Sequence, residues 1–278
     1  MTGELSGREL AKAIRASAAA EAADLAKAGR QPRLAVVTAN ADGGSAAYVR
    51  SIANAAAREG IACDVSRTTT ASGIAAMLAQ LADDPEVHGV LLQTPLPGGA
   101  NLAGLATAIP PAKDVDGASP ESLGRLAAGL PAFAPATAEA VLALLDHYGI
   151  ELGGRHAVVV GRSVVVGKPV AHLLLDRHAT VTICHSRTAD LAAITRQADV
   201  LVAAAGHAAL IGPGYVSPGT TVIDVGTNAT PDDGLTGDVD AAVAAVEGVA
   251  LTPVPGGVGP VTTALLLRHV VTAAAAAG

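Results

Sequence analysis

A glycine-containing loop in the second half of the chain has the residues needed to bind a phosphate. Residues Val158–Val160 are all valine, which is typical of a strand buried on both faces. Gly161 and Gly167 lie in the loop that follows, and a helix is predicted over Pro169–Arg177. A strand, a glycine loop and a helix N-terminus present free backbone amides to a phosphate. The spacing is not the usual Gly-x-Gly-x-x-Gly, so an ordinary tight turn explains the loop equally well.

Two further segments combine a stiff backbone with polar groups. A buried strand over Gly89–Gln93 delivers a glutamine at its carboxyl end, where the active sites of α/β folds collect, and a proline-stiffened loop follows. Thr252–Pro260 has three prolines and three glycines in nine residues, which excludes a regular helix or a central strand. The backbone of such a loop can lie against a ligand, although a rigid connector is the simpler interpretation.

The elements that position these loops alternate between strand and helix, which predicts parallel sheets and an α/β fold. A domain boundary is expected near Ser119. The predicted helices are Glu9–Ala28, Ser45–Glu59, Ser72–Leu81, Thr137–Tyr148, Pro169–Arg177 and Val261–Val271. The predicted strands are Leu34–Val37, Ile61–Val65, Gly89–Gln93, Ala157–Val160, Thr180–Ile183, Val200–Ala203 and Thr221–Val225.

Composition narrows the class of protein. The 278 residues fit one large or two medium domains, and a chain that is 50% hydrophobic with three Tyr, one Phe and no Trp must build its core from Ala, Val and Leu. A net charge of −7 without a basic block makes a nucleic-acid surface unexpected. The polar N-terminus and the Gly- and Pro-interrupted apolar stretches predict neither a signal peptide nor a membrane span.

The cysteines and histidines predict a cytoplasmic protein without a metal site. Cys63 and Cys184 both fall in predicted strands, and we expect buried free thiols in a reducing compartment rather than a disulfide. The histidines have no metal-ligand spacing with acidic or cysteine partners.

Together these segments resemble the FolD family, methylene-tetrahydrofolate dehydrogenase/methenyl-tetrahydrofolate cyclohydrolase. The likeness covers nearly the whole chain and is carried by Gly7–Leu10, Gln93–Pro97, Lys113–Gly117, Gly161–Ser163, Cys184–Ser186, Ile223–Gly226 and Pro253–Pro260. The resemblance implies two α/β domains with a cleft between them, the second a Rossmann-like NADP-binding domain. Residues 1–119 would form the folate-binding catalytic domain, completed by a C-terminal helix over 261–278, and residues 120–260 the NADP-binding domain.

For the cofactor, the residues and the resemblance point to NADP. An Arg at position 162 can reach a 2′-phosphate, and Ser186 and Arg187 stand where an acidic residue would select NAD. Arginines that merely charge the surface are the alternative. The resemblance associates the positions of Arg162 and Ser186 with NADP. The expected cofactor-binding residues are Gly161, Arg162, Ser163, Gly167, Ser186, Arg187, Gly206, Gly226 and Thr227.

For the substrate, the resemblance implies a tetrahydrofolate one-carbon derivative. Tyr48 would stack on its ring system, Asp116 would anchor the amino group of the pterin, and Gln93 would serve in catalysis. A turn-forming Asp before Gly117 is the alternative for Asp116. The expected catalytic residues are Tyr48, Gln93 and Asp116, and the expected substrate-binding residues are these three with Pro95, Pro255, Gly256 and Gly257.

One position departs from the family pattern. The family has a Lys four residues after the Tyr, on the same helix face, and this chain has Ile52. Arg50 points elsewhere and Arg58 is too far along the helix, whereas Lys113 could in principle approach. In the family the Lys works with the Gln in the cyclohydrolase step. We therefore expect an NADP-dependent methylene-tetrahydrofolate dehydrogenase whose cyclohydrolase activity is weak or absent.

Three alternatives stay open at this point. The chain could be a bifunctional dehydrogenase/cyclohydrolase that uses another base, or a pseudoenzyme that binds folate or NADP. It could also be a homologue from a specialised pathway, which Thr94 beside the pocket together with Ile52 would favour. By resemblance, the protein is expected to be a homodimer.

Overall fold

Two compact units make up the chain in the computed structural model, which describes residues 3–39, 43–230 and 234–277. The first unit comprises Lys12–Ala136 and Thr263–Gly278, and the second comprises Met1–Ala11 and Thr137–Thr262. Each unit has its own parallel sheet with helices in the same unit. The predicted fold class, two α/β domains, is confirmed.

A three-stranded parallel sheet forms the centre of the first unit, in the order β3-β2-β4. β2 covers Arg33–Thr38, β3 covers Ala62–Arg67 and β4 covers Gly89–Leu92. β2 lies in the middle and is buried from its second residue onward, as expected for an apolar strand that pairs on both sides. Because the strands are parallel, the loops after β2 and β4 leave from the same edge of the sheet.

The helices of the chain begin and end close to the predicted positions where the hydrophobic pattern is long. In the first half they are α1 (Arg8–Lys27), α2 (Gly43–Arg58), α3 (Ala71–Asp83), α4 (Leu102–Ala106) and α5 (Pro120–Ala127). In the second half they are α6 (Ala136–His147), α7 (Gly167–Asp176), α8 (Leu191–Thr195) and α9 (Val258–Ala276). Short 3₁₀ turns cover Pro97–Gly99, Pro213–Tyr215 and Ala241–Ala245. Side-chain caps fix several of the starts; for example, Thr70 accepts from Gly73 N and Ser119 accepts from Ser122 N.

The core of the first unit is aliphatic, and much of α9 is part of it. One buried cluster joins residues of α1, α2, β2 and α9: Ala18, Ala22, Leu34, Val36, Val49, Ile52, Ala55, Ala56, Leu266, Leu267, Val270 and Val271 among others. α9 is long and apolar enough by composition to cross a membrane, but 67% of its apolar 18-residue window is buried within the protein. Packing in this core accounts for its hydropathy.

A six-stranded parallel sheet forms the second unit, in the order β1-β11-β8-β7-β5-β6. The strands are β1 (Gly3–Glu4), β5 (His156–Val160), β6 (Thr180–Cys184), β7 (Val200–Ala203), β8 (Thr221–Asp224) and β11 (Ala250–Leu251). An antiparallel pair, β9 (Asn228–Ala229) and β10 (Leu235–Thr236), lies outside this sheet. β5 pairs with β7 on one side and β6 on the other and is almost fully buried, which explains its valine run.

The structure divides the chain later than the predicted position near Ser119. Ser119 caps α5, and the segment after α5 stays with the first unit because Phe133 and Ala136 pack on its core. The N-terminus also belongs elsewhere than expected, since β1 pairs with β11 in the sheet of the second unit. A strand of two residues is too short to show hydrophobic alternation, so the sequence could not predict it. Cys63 is half-buried rather than buried, and both cysteines are free.

Candidate functional site

The glycine loop after β5 is built so that two positions admit no side chain. Gly161 has φ 141°, and a Cβ there would meet the carbonyl oxygen of Ala204. A Cβ at Gly167 would meet the carbonyl of Gly161 itself. The backbone at Gly161 and Gly167 is therefore in direct contact with neighbouring backbone where α7 begins. With no side chain at these two positions, a phosphate group could approach the loop closely.

Ser163 organises this loop from within. Its hydroxyl oxygen accepts hydrogen bonds from the amides of Val166 (3.1 Å) and Gly167 (3.4 Å), the first amides of α7. Arg162 is exposed beside them. The loop thus offers a helix N-terminus and an unburied guanidinium, which fit a dinucleotide phosphate.

The turn His185–Thr188, directly after β6, contains no carboxylate. The amide of His185 donates to Thr188 Oγ1 (2.8 Å), and the amide of Arg187 donates to His185 Nδ1 (3.1 Å), so the backbone of this turn is fixed. Ser186 and Arg187 are exposed on it. A hydroxyl and a guanidinium at this strand end fit a 2′-phosphate better than a 2′-hydroxyl.

Asp238 holds the loop that carries Gly206. One of its carboxylate oxygens accepts from the amides of Ala205 (2.6 Å) and Gly206 (2.8 Å), and the other accepts from Asn228 Nδ2 (2.9 Å). Asp238 is fully buried, so these partners replace the water that the carboxylate has lost. No role could be predicted for Asp238, because its burial and its partners leave no local signal in the sequence.

Asp224, at the end of β8, holds the loop that carries Gly226. Its carboxylate accepts from the amides of Gly226 (2.9 Å), Asp238 (2.9 Å) and Val239 (3.0 Å). Its own amide donates to Thr252 Oγ1 (2.7 Å), at the start of the proline–glycine loop. Burial raises the pKa of Asp224 while these amides oppose the rise. Two buried carboxylates thus fix the loops on which the predicted residues Gly206, Gly226 and Thr227 lie.

The proline–glycine loop between β11 and α9 is rigid and lined by backbone. Gly256 has φ 117°, and its carbonyl accepts from the amide of Gly7 (2.8 Å). The amide of Gly257 donates to Pro253 O (2.8 Å), and a Cβ at Gly257 would lie 2.7 Å from that same oxygen. Pro255, which follows a cis peptide bond, is exposed. Of the predicted substrate-binding residues, Pro255, Gly256 and Gly257 belong to the second unit.

The other predicted substrate-binding residues belong to the first unit, where Tyr48 and Asp116 come within electrostatic range of each other. Tyr48 lies on α2 with 37% of its surface exposed. Desolvation, and then the charge of Asp116, raise the pKa of the Tyr48 hydroxyl, so it stays protonated. Burial raises the pKa of Asp116 to about 7; Asp114 adds to the rise and His269 opposes it. Asp116 therefore changes its charge near neutral pH.

Gln93 is held by its own loop in this structure. Its side-chain amide donates to the carbonyl of Thr94 (2.8 Å), and the hydroxyl of Ser45 on α2 donates to the same oxygen (3.1 Å). The Thr94–Pro95 peptide bond is cis, and Pro95 is exposed. The start of α2 and the end of β4 are thereby joined, which places Gln93 and Tyr48 on connected elements.

Neither Ile52 nor Lys113 supplies an amine in place of the family lysine. Ile52 is fully buried (0% exposed) in the aliphatic core, one helical turn beyond Tyr48. Lys113 does not approach, contrary to the possibility raised by the sequence. Its ammonium group donates to the carbonyls of Leu81 (3.1 Å), Ala82 (2.8 Å) and Asp84 (2.6 Å), and so caps the C-terminus of α3. Within residues 3–39, 43–230 and 234–277, no group of three His, Cys, Asp or Glu side chains could hold a metal ion.

A parallel sheet with a glycine loop at the start of a helix, and with loops fixed at the strand ends, defines the second unit as a Rossmann-like dinucleotide-binding domain. Residues 135–277 match the NAD(P)-binding domain of tetrahydrofolate dehydrogenase/cyclohydrolase, and residues 5–116 match its catalytic domain. The chain belongs to the tetrahydrofolate dehydrogenase/cyclohydrolase family. The predicted family, the oxidoreductase class and the dinucleotide-binding domain are confirmed.

Relatives support the family assignment over nearly the whole length of the chain. The bifunctional protein FolD 1 of Rhodococcus jostii is 60% identical over 99% of this chain and 93% of its own. The solved bifunctional FolD of Campylobacter jejuni has a TM-score of 0.94 at 38% identity, with 99% of both chains covered. The FolD of Trypanosoma brucei, solved in complex with NADP and an inhibitor, has a TM-score of 0.92 at 35% identity and covers 99% of this chain and 98% of its own.

Proposed function

We propose that the protein is an NADP-dependent dehydrogenase that oxidises 5,10-methylene-tetrahydrofolate to the 5,10-methenyl form, with weak or no cyclohydrolase activity. The single observation that carries this proposal is that Ile52, one helical turn beyond Tyr48, is fully buried at the position where the family has a lysine. We further infer that Gln93, Asp116 and Tyr48 hold the substrate, and that the protein acts in the cytoplasm as a homodimer.

The two reactions of the family, oxidation of the methylene form and hydrolysis of the methenyl form, require different groups from the protein. Oxidation of the methylene group removes a hydride and leaves the methenyl cation, so no proton has to be transferred. NADP, when bound, supplies the acceptor for that hydride. Hydrolysis of the methenyl cation adds water and must remove a proton from it, which requires a base. Losing the lysine therefore leaves the first reaction possible and impairs the second.

The residues of the first unit suit the role that oxidation requires. A Tyr48 that stays protonated offers a ring for stacking and an O–H donor. Asp116, when ionised, is an acceptor for the donor-rich edge of a pterin. These side chains orient the ring system, and orientation is the main contribution a protein makes to hydride transfer.

NADP, rather than NAD, is the cofactor that the site favours. Arg162 and Arg187 provide positive charge, Ser186 provides a hydroxyl, and no carboxylate follows β6 in the segment His185–Thr188. A 2′-phosphate would gain charge-assisted hydrogen bonds there, whereas a ribose 2′-hydroxyl would lack its usual carboxylate partner.

A bifunctional enzyme with another base is the second candidate, and one observation favours it. Asp116 has its pKa raised to about 7, so it could take a proton from water near neutral pH. In this reading the hydrolysis would be accelerated despite Ile52, and the acceleration would disappear when Asp116 is replaced by Asn.

A two-part assay on the purified protein tests the proposal. The first part follows NADPH formation from NADP and 5,10-methylene-tetrahydrofolate, with NAD as the matched alternative. The second part follows the loss of added methenyl-tetrahydrofolate against its spontaneous rate in the same buffer. We expect NADPH formation, a preference for NADP of at least about tenfold, and methenyl loss at the spontaneous rate.

Each other outcome selects a different function. Methenyl loss well above the spontaneous rate would contradict the monofunctional reading and support Asp116 as the base. If NADPH did not form, the dehydrogenase proposal would fail. Titration with NADP and with folates would then distinguish a ligand-binding pseudoenzyme from an enzyme for a different one-carbon carrier.

A further inference from the structure

We propose that His269 is a positioning residue that fixes the Lys113–Gly117 turn and thereby sets the place of the Asp116 carboxylate. The proposal rests on the proposed function, because it takes Asp116 as the group that recognises the folate. His269 lies on α9, far from this turn along the sequence, and no motif in the chain marks it.

A short hydrogen bond joins His269 to the turn. Its Nδ1 lies 2.7 Å from the carbonyl oxygen of Val115, and the residue is 5% exposed. A carbonyl can only accept, so Nδ1 carries the hydrogen. The imidazole ring also packs on Phe133, with ring centroids 4.8 Å apart and an angle of 32° between the planes. The ring is therefore held from the side while its N–H points at the turn.

The rest of the turn is tied down at its two ends. At the start, the Lys113 carbonyl accepts from Val90 N on β4 (2.8 Å), in addition to the contacts of its ammonium group with α3. After the turn, the Asp114 carboxylate accepts from the amides of Ala118 (3.1 Å) and Ser119 (2.9 Å). The backbone also closes the turn, since Gly117 N donates to Asp114 O (2.9 Å) and Val115 N donates to Lys113 O (2.9 Å). The Val115 carbonyl, at the centre of the turn, accepts from His269 and, within the described residues, from no backbone amide.

The His269 bond acts at that centre. The carbonyl of Val115 and the amide of Asp116 belong to one planar peptide group, so fixing the carbonyl also fixes the plane from which the Asp116 side chain departs. Within the described residues, the Asp116 carboxylate itself accepts no hydrogen bond, and Gly117 is packed against the backbone at Phe133–Pro135. The position of the carboxylate therefore depends on its backbone, and His269 is the side chain that holds this peptide.

Asn and Leu at position 269 separate the hydrogen bond from the packing, because these two side chains have nearly the same shape. Asn carries an N–H donor close to where His Nδ1–H lies, and Leu carries none. We expect His269→Asn to keep the KM for 5,10-methylene-tetrahydrofolate within about threefold of the wild type. We expect His269→Leu to raise that KM about tenfold, the loss typical of one buried hydrogen bond, with the KM for NADP unchanged.

Thermal melting and a third variant keep the test informative. If His269→Leu does not fold, His269→Gln still places a donor in the pocket, but displaced, and should raise the folate KM alone. The proposal is overturned if Leu leaves the folate KM unchanged, if Asn and Leu raise it equally, or if the KM values for both ligands change together. A wild-type protein that neither binds nor oxidises the folate would instead overturn the proposed function.

Discussion

The two units secure their predicted ligand-binding residues in different ways. In the second unit, the loops with Gly206 and Gly226 are fixed by Asp224 and Asp238, whose carboxylates accept five backbone amides and one side-chain amide at 2.6–3.0 Å. In the first unit, the predicted contacts are side chains such as Tyr48, and Asp116 accepts no hydrogen bond in the described structure.

This difference determines which changes each unit tolerates. A site made of backbone keeps its geometry when side chains change, provided that its glycines and buried carboxylates remain. A site made of side chains should lose a function with one substitution, as we propose for Ile52 at the position of the family lysine. We therefore expect substitutions of the glycines to impair dinucleotide binding most. We expect substitutions of individual polar side chains to impair folate binding most.

Replacing Gly161 by Ala should have the largest effect. Its Cβ would meet the carbonyl of Ala204, and its φ of 141° is unfavourable for any other residue, so the loop must move away from the phosphate position. We expect the affinity for NADP to fall about 100-fold or more, measured by titration calorimetry. Gly153→Ala is the matched control, because a Cβ at Gly153 meets nothing within 4 Å. Equal affinities in the two variants would show that the loop does not bind the cofactor.

Ile52→Lys tests the other half of the comparison. Lys at this position lies one turn from Tyr48 and can restore a proton-transferring group, so we expect methenyl-tetrahydrofolate loss to rise about 30-fold above the wild type. The same change buries an amine in an aliphatic core and should lower the melting temperature. Ile52→Met, which adds length without a charge, should do neither. If Lys gave no acceleration, the missing lysine would not explain weak hydrolysis.

The sequence predicted the elements with strong periodic patterns but could not predict how the chain ends are used. α2, β2 and β7 lie within two residues of their predicted bounds, because each has a clear apolar face or run. β1 and the late unit boundary depend on pairing with residues far along the chain, at β11 and at the core that holds Phe133. Such pairings leave no local signal.

The candidate site shows the same limit. Tyr48, Gln93 and Asp116 were identified because they belong to short motifs. The glycines were identified because they lie in loops directly after predicted strands. Asp224, Asp238 and His269 were not assigned a role, because their importance comes from burial and from partners elsewhere in the fold. The position of Lys113 was equally invisible, since its partners are the last carbonyls of α3.

Asp238→Asn should weaken the cofactor site by a smaller amount than Gly161→Ala. An Asn side chain can accept on one side only, so either the amides of Ala205 and Gly206 or the Asn228 amide loses its acceptor. We expect about a tenfold loss in NADP affinity and no change in the KM for the folate. Asp240→Asn is the control. Asn can still accept the hydrogen bond that Asp240 accepts from Ala242 N (2.8 Å), so the NADP affinity of this variant should match the wild type. A folate KM that changed as much as NADP affinity would contradict a local role.

Glu59→Gln should have the smallest effect of these substitutions, and the effect is on stability. Glu59 is a buried carboxylate that, unlike Asp224 and Asp238, has no amide partners among the described residues. Glu59 is 6% exposed, its Oε2 has no hydrogen-bond partner in the described structure, and Arg15 Nε lies 4.0 Å from Oε1. Burial raises its pKa from 4.5 to about 7, against the weaker opposing effect of Arg15. The folded state therefore binds the proton more tightly than the unfolded state, and stability falls as the pH rises from about 4.5 to 7.

Gln cannot ionise, so the variant should escape this loss. We expect Glu59→Gln to be more stable than the wild type by about 1 kcal/mol at pH 8, with the gain shrinking toward zero at pH 4.5, as measured by urea unfolding. The exposed Glu21→Gln on α1 is the control for replacing a carboxylate by an amide at the surface. A variant less stable than the wild type at pH 8 would mean that the ion pair with Arg15 outweighs the desolvation of Glu59. The contrast with the amide-bound carboxylates of Asp224 and Asp238 would then not hold.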